Sequence, residues 1–407
     1  MSDRPQNAPR PLPGRPNLRH LKDEAKDLLR SGGAKSLTDA QFHIARLYGF
    51  ASWPKLKAHI DSLQEIGRLK LAIDRNDLDA VKAMMTRNPA LHHAPLGYGK
   101  NGPLTWAAEC RTLDGPPPPE RLAIARWMIE NGSDIHQGGD GPLMRAALNG
   151  DRVPMMELLL THGANVNAAW GGAFPILFAA CEVVSPVSLR WLLEHGADPN
   201  CPRLKSRITA LDYLVGSYVR SDELSACIEL LAAAGGRTRY DQPGVLEILR
   251  DRTDLLAARL DERPKLVNWR FEALDIGTSG ARRLTLRGAT LLHVAAEYGN
   301  LAAATLLLER GMSANAAAWI DETGVGGQTP IFHAVTQFHD RGLPMVHLLL
   351  RYGADLSLRV KLPGHYERLD EIVECTPLGY ALRFPGDEFP GSNQETIALL
   401  REQGATE

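Results

Sequence analysis

Residues 289–315 read ATLLHVAAEYGNLAAATLLLERGMSAN. Two short helices separated by a glycine follow from this stretch. Thr290 offers a hydroxyl for the N-cap of the first. That helix runs from Leu291 to about Tyr298 and stops at Gly299, a residue free to take the left-handed conformation. The second runs from Leu301 to about Arg310, and its Leu306-Leu307-Leu308 makes an apolar stripe too wide for one short helix to bury alone. Gly311 stops it, and Ser313-Ala314-Asn315 leads into an extended turn. A two-helix unit this small has no core of its own, so it demands like units on both sides.

Copies are found by their punctuation. Helix starts recur at Pro103-Leu104-Thr105-Trp106-Ala107-Ala108, Gly141-Pro142-Leu143-Met144-Arg145-Ala146-Ala147, Pro175-Ile176-Leu177-Phe178-Ala179-Ala180, Thr329-Pro330-Ile331-Phe332-His333-Ala334 and Thr376-Pro377-Leu378-Gly379-Tyr380-Ala381. Second helices end on Gly163-Ala164-Asn165-Val166-Asn167, Gly196-Ala197-Asp198-Pro199-Asn200, Gly353-Ala354-Asp355 and Gly404-Ala405. Gly163 and Gly196 stand 33 residues apart, and longer steps elsewhere mark inserted loops.

The chain resembles the ankyrin-repeat family. Its pattern is a Thr-Pro-Leu-His-x-Ala-Ala start, a Leu-Leu second helix and a Gly-Ala-Asp-x-Asn exit, with a period near 33. The resemblance implies an all-α solenoid of helix–turn–helix units joined by β-hairpin loops. About nine units begin near residues 68, 103, 141, 174, 208, 243, 289, 329 and 376. The first unit, 69–91, and the sixth, 245–267, share a proline-bearing exit (Asn88-Pro89 and Arg263-Pro264), so the second half echoes the first and a joint is expected near 236–245. The array is expected to span 67–407.

Two segments precede it. Residues 1–16 carry five prolines and little apolar matter, and are expected to form a disordered tail. Residues 17–66 predict three helices, with Leu18, Leu21, Ala25, Leu28 and Leu29 on the face of the first. Asp39-Ala40-Gln41 through Ile44-Ala45-Arg46, and Gly49-Phe50-Ala51-Ser52-Trp53, resemble a helical leader found before ankyrin repeats in some bacterial proteins. Residues 1–64 hold 11 Lys/Arg against 6 Asp/Glu, so this segment is basic; covering the apolar end of the array is its expected task.

Charge and composition narrow the function. The net charge of −2 gives no case for nucleic acid. No apolar run reaches membrane-spanning length, and the N-terminus has no apolar signal region. The five scattered cysteines fit a reduced cytoplasm and make neither a disulfide framework nor a zinc site; His92-His93 lacks companions at metal spacing. No phosphate-binding glycine loop or nucleophile elbow is present, and no cofactor is implied.

The resemblance implies a concave binding face lined by the residues around and after the Ala-Ala pair. Carried over unit by unit, the candidate binding residues are Trp106, Glu109, Arg145, Phe178, Glu182, Tyr213, Glu297, Tyr298, His333, Gln337, Tyr380 and Arg383. The aromatics among them either fill gaps between units or offer rigid contact area to a partner. The first expectation is a scaffold that binds another protein through this face and the inserted loops. The second is an enzyme or small-molecule binder. There, loops 111–119, 272–288 and 359–375 close over a pocket in which Glu109, Glu182, Asp212 and Glu297, with His333, act as acid and base.

Overall fold

The computed structural model describes residues 9–13, 16–96, 101–109, 115–150, 152–203, 207–217, 220–272, 274, 276, 284–364, 370–384 and 392–407. Most of them are helical. The helices that lead into the repeats are α1 (Leu18–Arg30), α2 (Leu37–Leu47), α3 (Trp53–Asp74) and α4 (Leu78–Arg87). They are followed by the short pairs α5 (Pro103–Glu109) and α6 (Pro119–Glu130), α7 (Gln137–Ala147) and α8 (Val153–Thr161), and α9 (Leu177–Glu182) and α10 (Pro186–Glu194). Next come α11 (Ala210–Val215) and α12 (Leu224–Ala233), α13 (Val245–Leu249) and α14 (Thr253–Glu262), and α15 (Leu291–Tyr298) and α16 (Leu301–Glu309). The last pairs are α17 (Pro330–Ala334) with α18 (Leu343–Arg351) and α19 (Pro377–Arg383) with α20 (Gln394–Glu402). The strands are two small antiparallel hairpins, β1 (Ala169–Trp170) with β2 (Phe174–Pro175), and β3 (Val360–Pro363) with β4 (Ile372–Cys375).

The chain divides into two compact units. One holds Met1–Ala146 and Pro154–Ala164, the other Ala147–Val153 and Asn165–Glu407. The division falls at 147–165, not near the joint expected at 236–245.

In the first unit the leader has a core of its own, built from Leu21, Ala25, Ala40, Ile44, Ala45, Tyr48, Leu56 and Ile60. Asn17, Ser36 and Ser52 cap its three helices through their side chains. Residues 9–13 of the proline-rich segment lie against this core. The Arg10 amide donates to Leu47 O at 2.8 Å, the Arg10 guanidinium sits 5.6 Å over the Tyr48 ring, and Leu12 packs on the cluster. The expectation of a structureless tail therefore fails for those five residues; 1–8 and 14–15 lie outside the described ones. The boundary expected at 66/67 also moves. Helix α3 is continuous from Trp53 to Asp74, so the leader's third helix and the first helix of the following unit are one rod. Gly67 stands at the expected boundary, yet no side-chain or backbone cap breaks the helix there.

In the second unit, α9 packs on α11 and α10 on α12, while α15, α17 and α19 stack on one another, as do α14, α16, α18 and α20. The exits between pairs repeat one device. Asn167 donates from Nδ2 to Gly196 O and accepts from the Asp198 amide, both at 2.8 Å. Asn200 does the same with Gly235 O and the Arg237 amide (3.1 and 2.7 Å), and Asn315 with Gly353 O and the Asp355 amide (both 2.7 Å). Each asparagine satisfies the turn of the next pair. The residue two before each one accepts from its amide, an Asx or Ser turn that fixes its direction.

Candidate functional site

The first-unit candidates form one row. Trp106 Nε1 donates to Asp74 Oδ1 at 2.9 Å, and the Lys70 ammonium stands 4.4 Å from its ring centre. Glu109 Oε1 is 3.7 Å from Arg145 Nη1, with both side chains mostly covered.

In the second unit the candidates separate by burial. Phe178 is fully buried, 6.1 Å from Phe174 and 5.7 Å from Tyr213 between ring centres. Tyr380 is fully buried between Phe332 and Phe384, at 6.0 and 5.0 Å. These two rings fill the space between helix pairs, the first of the two roles open to the aromatics. Tyr213 is half-buried. Glu182 and Arg383 are exposed, and Arg383 pairs with Glu371.

Glu297, Tyr298, His333 and Gln337 converge. Glu297 ends α15 with its side chain wholly enclosed, because the α17 pair stacks directly over it. Its Oε2 accepts from His333 Nδ1 at 2.7 Å. Gln337 Nε2 donates to the Glu297 and His333 carbonyls at 3.1 and 2.9 Å. The cluster holds a member absent from the candidates, Arg220. Its Nη2 donates to Glu297 Oε1 and its Nε to Glu297 O, both at 3.3 Å, and its Nη1 to Ser217 O at 2.7 Å. The guanidinium lies 4.0 Å over the Tyr298 ring. Tyr298 in turn donates its hydroxyl to Val215 O at 2.7 Å. Burial pushes the Tyr298 phenol up to about 12, although the Arg220 charge pulls the other way.

Arg220 precedes α12, and Glu297 lies 77 residues further on. The stretch from Val215 to Ser225 therefore reaches past the α13–α14 pair to the α15–α16 pair. Two further bonds mark the same reach, Asn300 Nδ2 to Ser225 Oγ at 3.3 Å and Arg341 Nη2 to Asp222 Oδ1 at 2.5 Å. The sequence explains why it is needed. The exit of the α11–α12 pair reads Gly235-Gly236-Arg237-Thr238-Arg239, without the bracing asparagine. No local pattern singles out Arg220; its only signal is its place three residues past Ser217.

Beside the cluster, His293 stands edge-on to His333, 5.6 Å between centres. Its Nδ1 accepts from the Thr290 amide at 3.0 Å, so Nε2 carries the proton that Gln328 O accepts at 3.0 Å. Burial first, and the His333 charge second, hold its pKa down at about 3.

Of the five groups expected to act as acid and base, the four in the second unit do not gather as a set. Glu109 belongs to the first unit, and Glu182 is exposed at the end of α9. Asp212 is consumed by backbone, capping α11 with Thr209 and accepting from the Arg239 amide and Thr238 hydroxyl at 2.9 and 2.8 Å. Only Glu297 and His333 meet, and neither side chain is exposed. Two adjoining clefts, one lined by residues from Tyr240 to Arg263 and one by Pro243 and residues from Glu262 to Trp269, hold none of the five.

Of the loops expected to carry function, two take shape together. Ile320 bridges Gly326, Gly326 bridges Lys361 on β3, and Lys361 pairs with Glu374 on β4. Side chains in register share a face. That face shows Ile320 at 65% exposure and, two residues from Glu374, Ile372 at 49%. Residues 110–114, 277–283 and 365–369 of the other insertions lie outside the described ones.

Comparison with known proteins agrees with this architecture. The family model described as ankyrin repeats (3 copies) matches residues 119–203 and 255–360. The B-cell lymphoma 3 protein homolog of Mus musculus is similar, 41% identical over 91 residues. That match covers 21% of this chain and 18% of the relative, so the chain spans under a fifth of that protein's length. No helix among the described residues is long and apolar enough to cross a membrane. The chain carries ankyrin repeats over residues 119–203 and 255–360.

Proposed function

We propose that the protein is a cytoplasmic protein-binding scaffold, and that every helix pair after the leader, about nine in all, is a repeat of this one kind. Ankyrin repeats are in general protein–protein interaction modules. The observation that carries the reading is how the matched repeats use their residues. Their second helices and inter-repeat aromatics are spent on stacking; of the first-helix ends, Glu182 is left as surface, whereas Glu297 and Gln337 are enclosed. On this reading Trp106, Glu109, Arg145, Glu182, Tyr213, Tyr298 and Arg383 are the contact positions, joined by the hairpin face that shows Ile320, Lys361, Ile372 and Glu374. The leader, with its likeness to bacterial ones, covers the N-terminal end. The described cysteines are free and three of the four are buried, in keeping with a reducing compartment.

A photo-cross-linking residue at position 182 tests the face. It should form a covalent protein adduct in extract of the native host, and the same probe at Arg190, exposed on α10, should not. Equal adducts from both positions, or none from 182, overturn the assignment. Ile320→Asp should weaken capture of the same adduct partner while leaving the melting temperature unchanged.

A further inference from the structure

Three features lie outside the stacking core: the clefts beside Pro243, the exposed sheet face at Ile320, and the guanidinium buried against Glu297. Glu297 and Tyr298 offer Arg220 three modes of recognition that suit a guanidinium better than an ammonium. These are a carboxylate oxygen at 3.3 Å, a main-chain carbonyl at 3.3 Å, and an aromatic face at 4.0 Å. Both residues stand at positions that the repeat pattern turns toward a partner, whereas Arg220 comes from another repeat. The side chain of Arg220 is 7% exposed and that of Glu297 is closed off entirely.

We propose that Glu297 and Tyr298 form an arginine subsite of the binding face, that Arg220 of the same chain fills it in the free protein, and that the partner enters it with an arginine of its own. This rests on the scaffold reading given above. Arg220 is then an internal competitor. A partner side chain must displace it, so the subsite discriminates by geometry: a lysine carries the charge but cannot span the carboxylate and the carbonyl with a planar fork. Discrimination of this kind comes from the polar groups a wrong ligand would leave buried and unpaired. When Arg220 leaves, His333 still holds the Glu297 carboxylate and Gln337 its main-chain carbonyl, so both acceptors keep their place for the incoming group.

The test needs no natural partner, so its failure is separate from failure of the scaffold reading. The full chain and its Arg220→Ala variant are titrated with N-acetyl-arginine amide and, as control, N-acetyl-lysine amide, following the thermal midpoint. The variant should show a saturable rise with the arginine compound at least about tenfold stronger than with the lysine compound, and about tenfold stronger than the wild type shows. Adding Glu297→Gln to the variant should remove it. No rise in the variant, or an equal rise with lysine, overturns the proposal. If Arg220→Ala does not fold, hydrogen exchange of the wild type decides. The arginine compound should speed exchange of amides 215–217 and the lysine compound should not; unchanged exchange with both overturns the proposal.

Discussion

At the scale of single residues the molecule's polar centre is Glu297, which answers to two donors at once. Enclosing an ion pair confers little net stability, but removing one partner strands the other. Glu297→Ala should therefore destabilise the protein by about 3–5 kcal/mol in urea unfolding, while Glu297→Met combined with Arg220→Met should recover most of that. A double variant as unstable as the single one would show that the pair is not the unit. Two titrations carry signs. His293 has its ordinary pKa of 6.5 held down to about 3 in the fold. Its stabilisation is present in full above pH 6.5 and is lost as pH falls through 3, about 5 kcal/mol in all. His293→Gln should flatten the urea midpoint between pH 7 and pH 4; an equal slope in the variant sinks this assignment. Tyr298 is a raised acid, at about 12 against 10. The unfolded chain ionises first, so its contribution holds below pH 10 and disappears as pH climbs through 12. Ultraviolet titration should find a phenol ionising near pH 12, and Tyr298→Phe should abolish that step.

Among elements, the exits and hairpins decide how repeats join. Asn315→Ala removes a donor and an acceptor that together fix Gly353 O and the Asp355 amide, and should cost about 1–2 kcal/mol by denaturant unfolding. Gly326 adopts φ +122, and a Cβ there would overlap Trp319 O, so Gly326→Ala should shift the Trp319 emission and lower the melting temperature. Much of this level was legible in the sequence. Gly163, Gly196, Gly311, Gly353 and Gly404, read as helix stops, have φ between +78 and +100, which other residues take reluctantly. His293 was legible through the His of the repeat's Thr-Pro-Leu-His start, and its partner Thr290 lies three residues back. Arg220 was not, since what it binds is 77 residues away and no period connects them. The aromatics at Phe178 and Tyr380 were ambiguous, because a ring that fills a gap and a ring that faces a partner look alike in a list of residues.

For the molecule as a whole, α3 matters most. The expected border lies at 66/67, but a helix border is fixed by caps and contacts, and α3 has caps only at its two ends. The leader's Glu65 binds Arg87 and Asn88 of the next helix at 2.9 Å each, tying the two together a second time. A fragment beginning at residue 67 would keep eight residues of that rod and lose Leu56 and Ile60 from its buried side. Hydrogen exchange of such a fragment should show α4 and α6 exchanging faster than in the full chain, while α15 to α18 stay protected. Uniform protection would mean that the leader is dispensable.

The asparagine braces have a direction. Asn167, Asn200 and Asn315 each sit in an earlier repeat and satisfy a later one, never the reverse. Shortening the chain from its C-terminus leaves an asparagine without its turn, and shortening it from the N-terminus leaves a turn without its asparagine; water can take over the bonds in either case. A transplanted repeat will fit best when it brings with it the asparagine of the repeat before it.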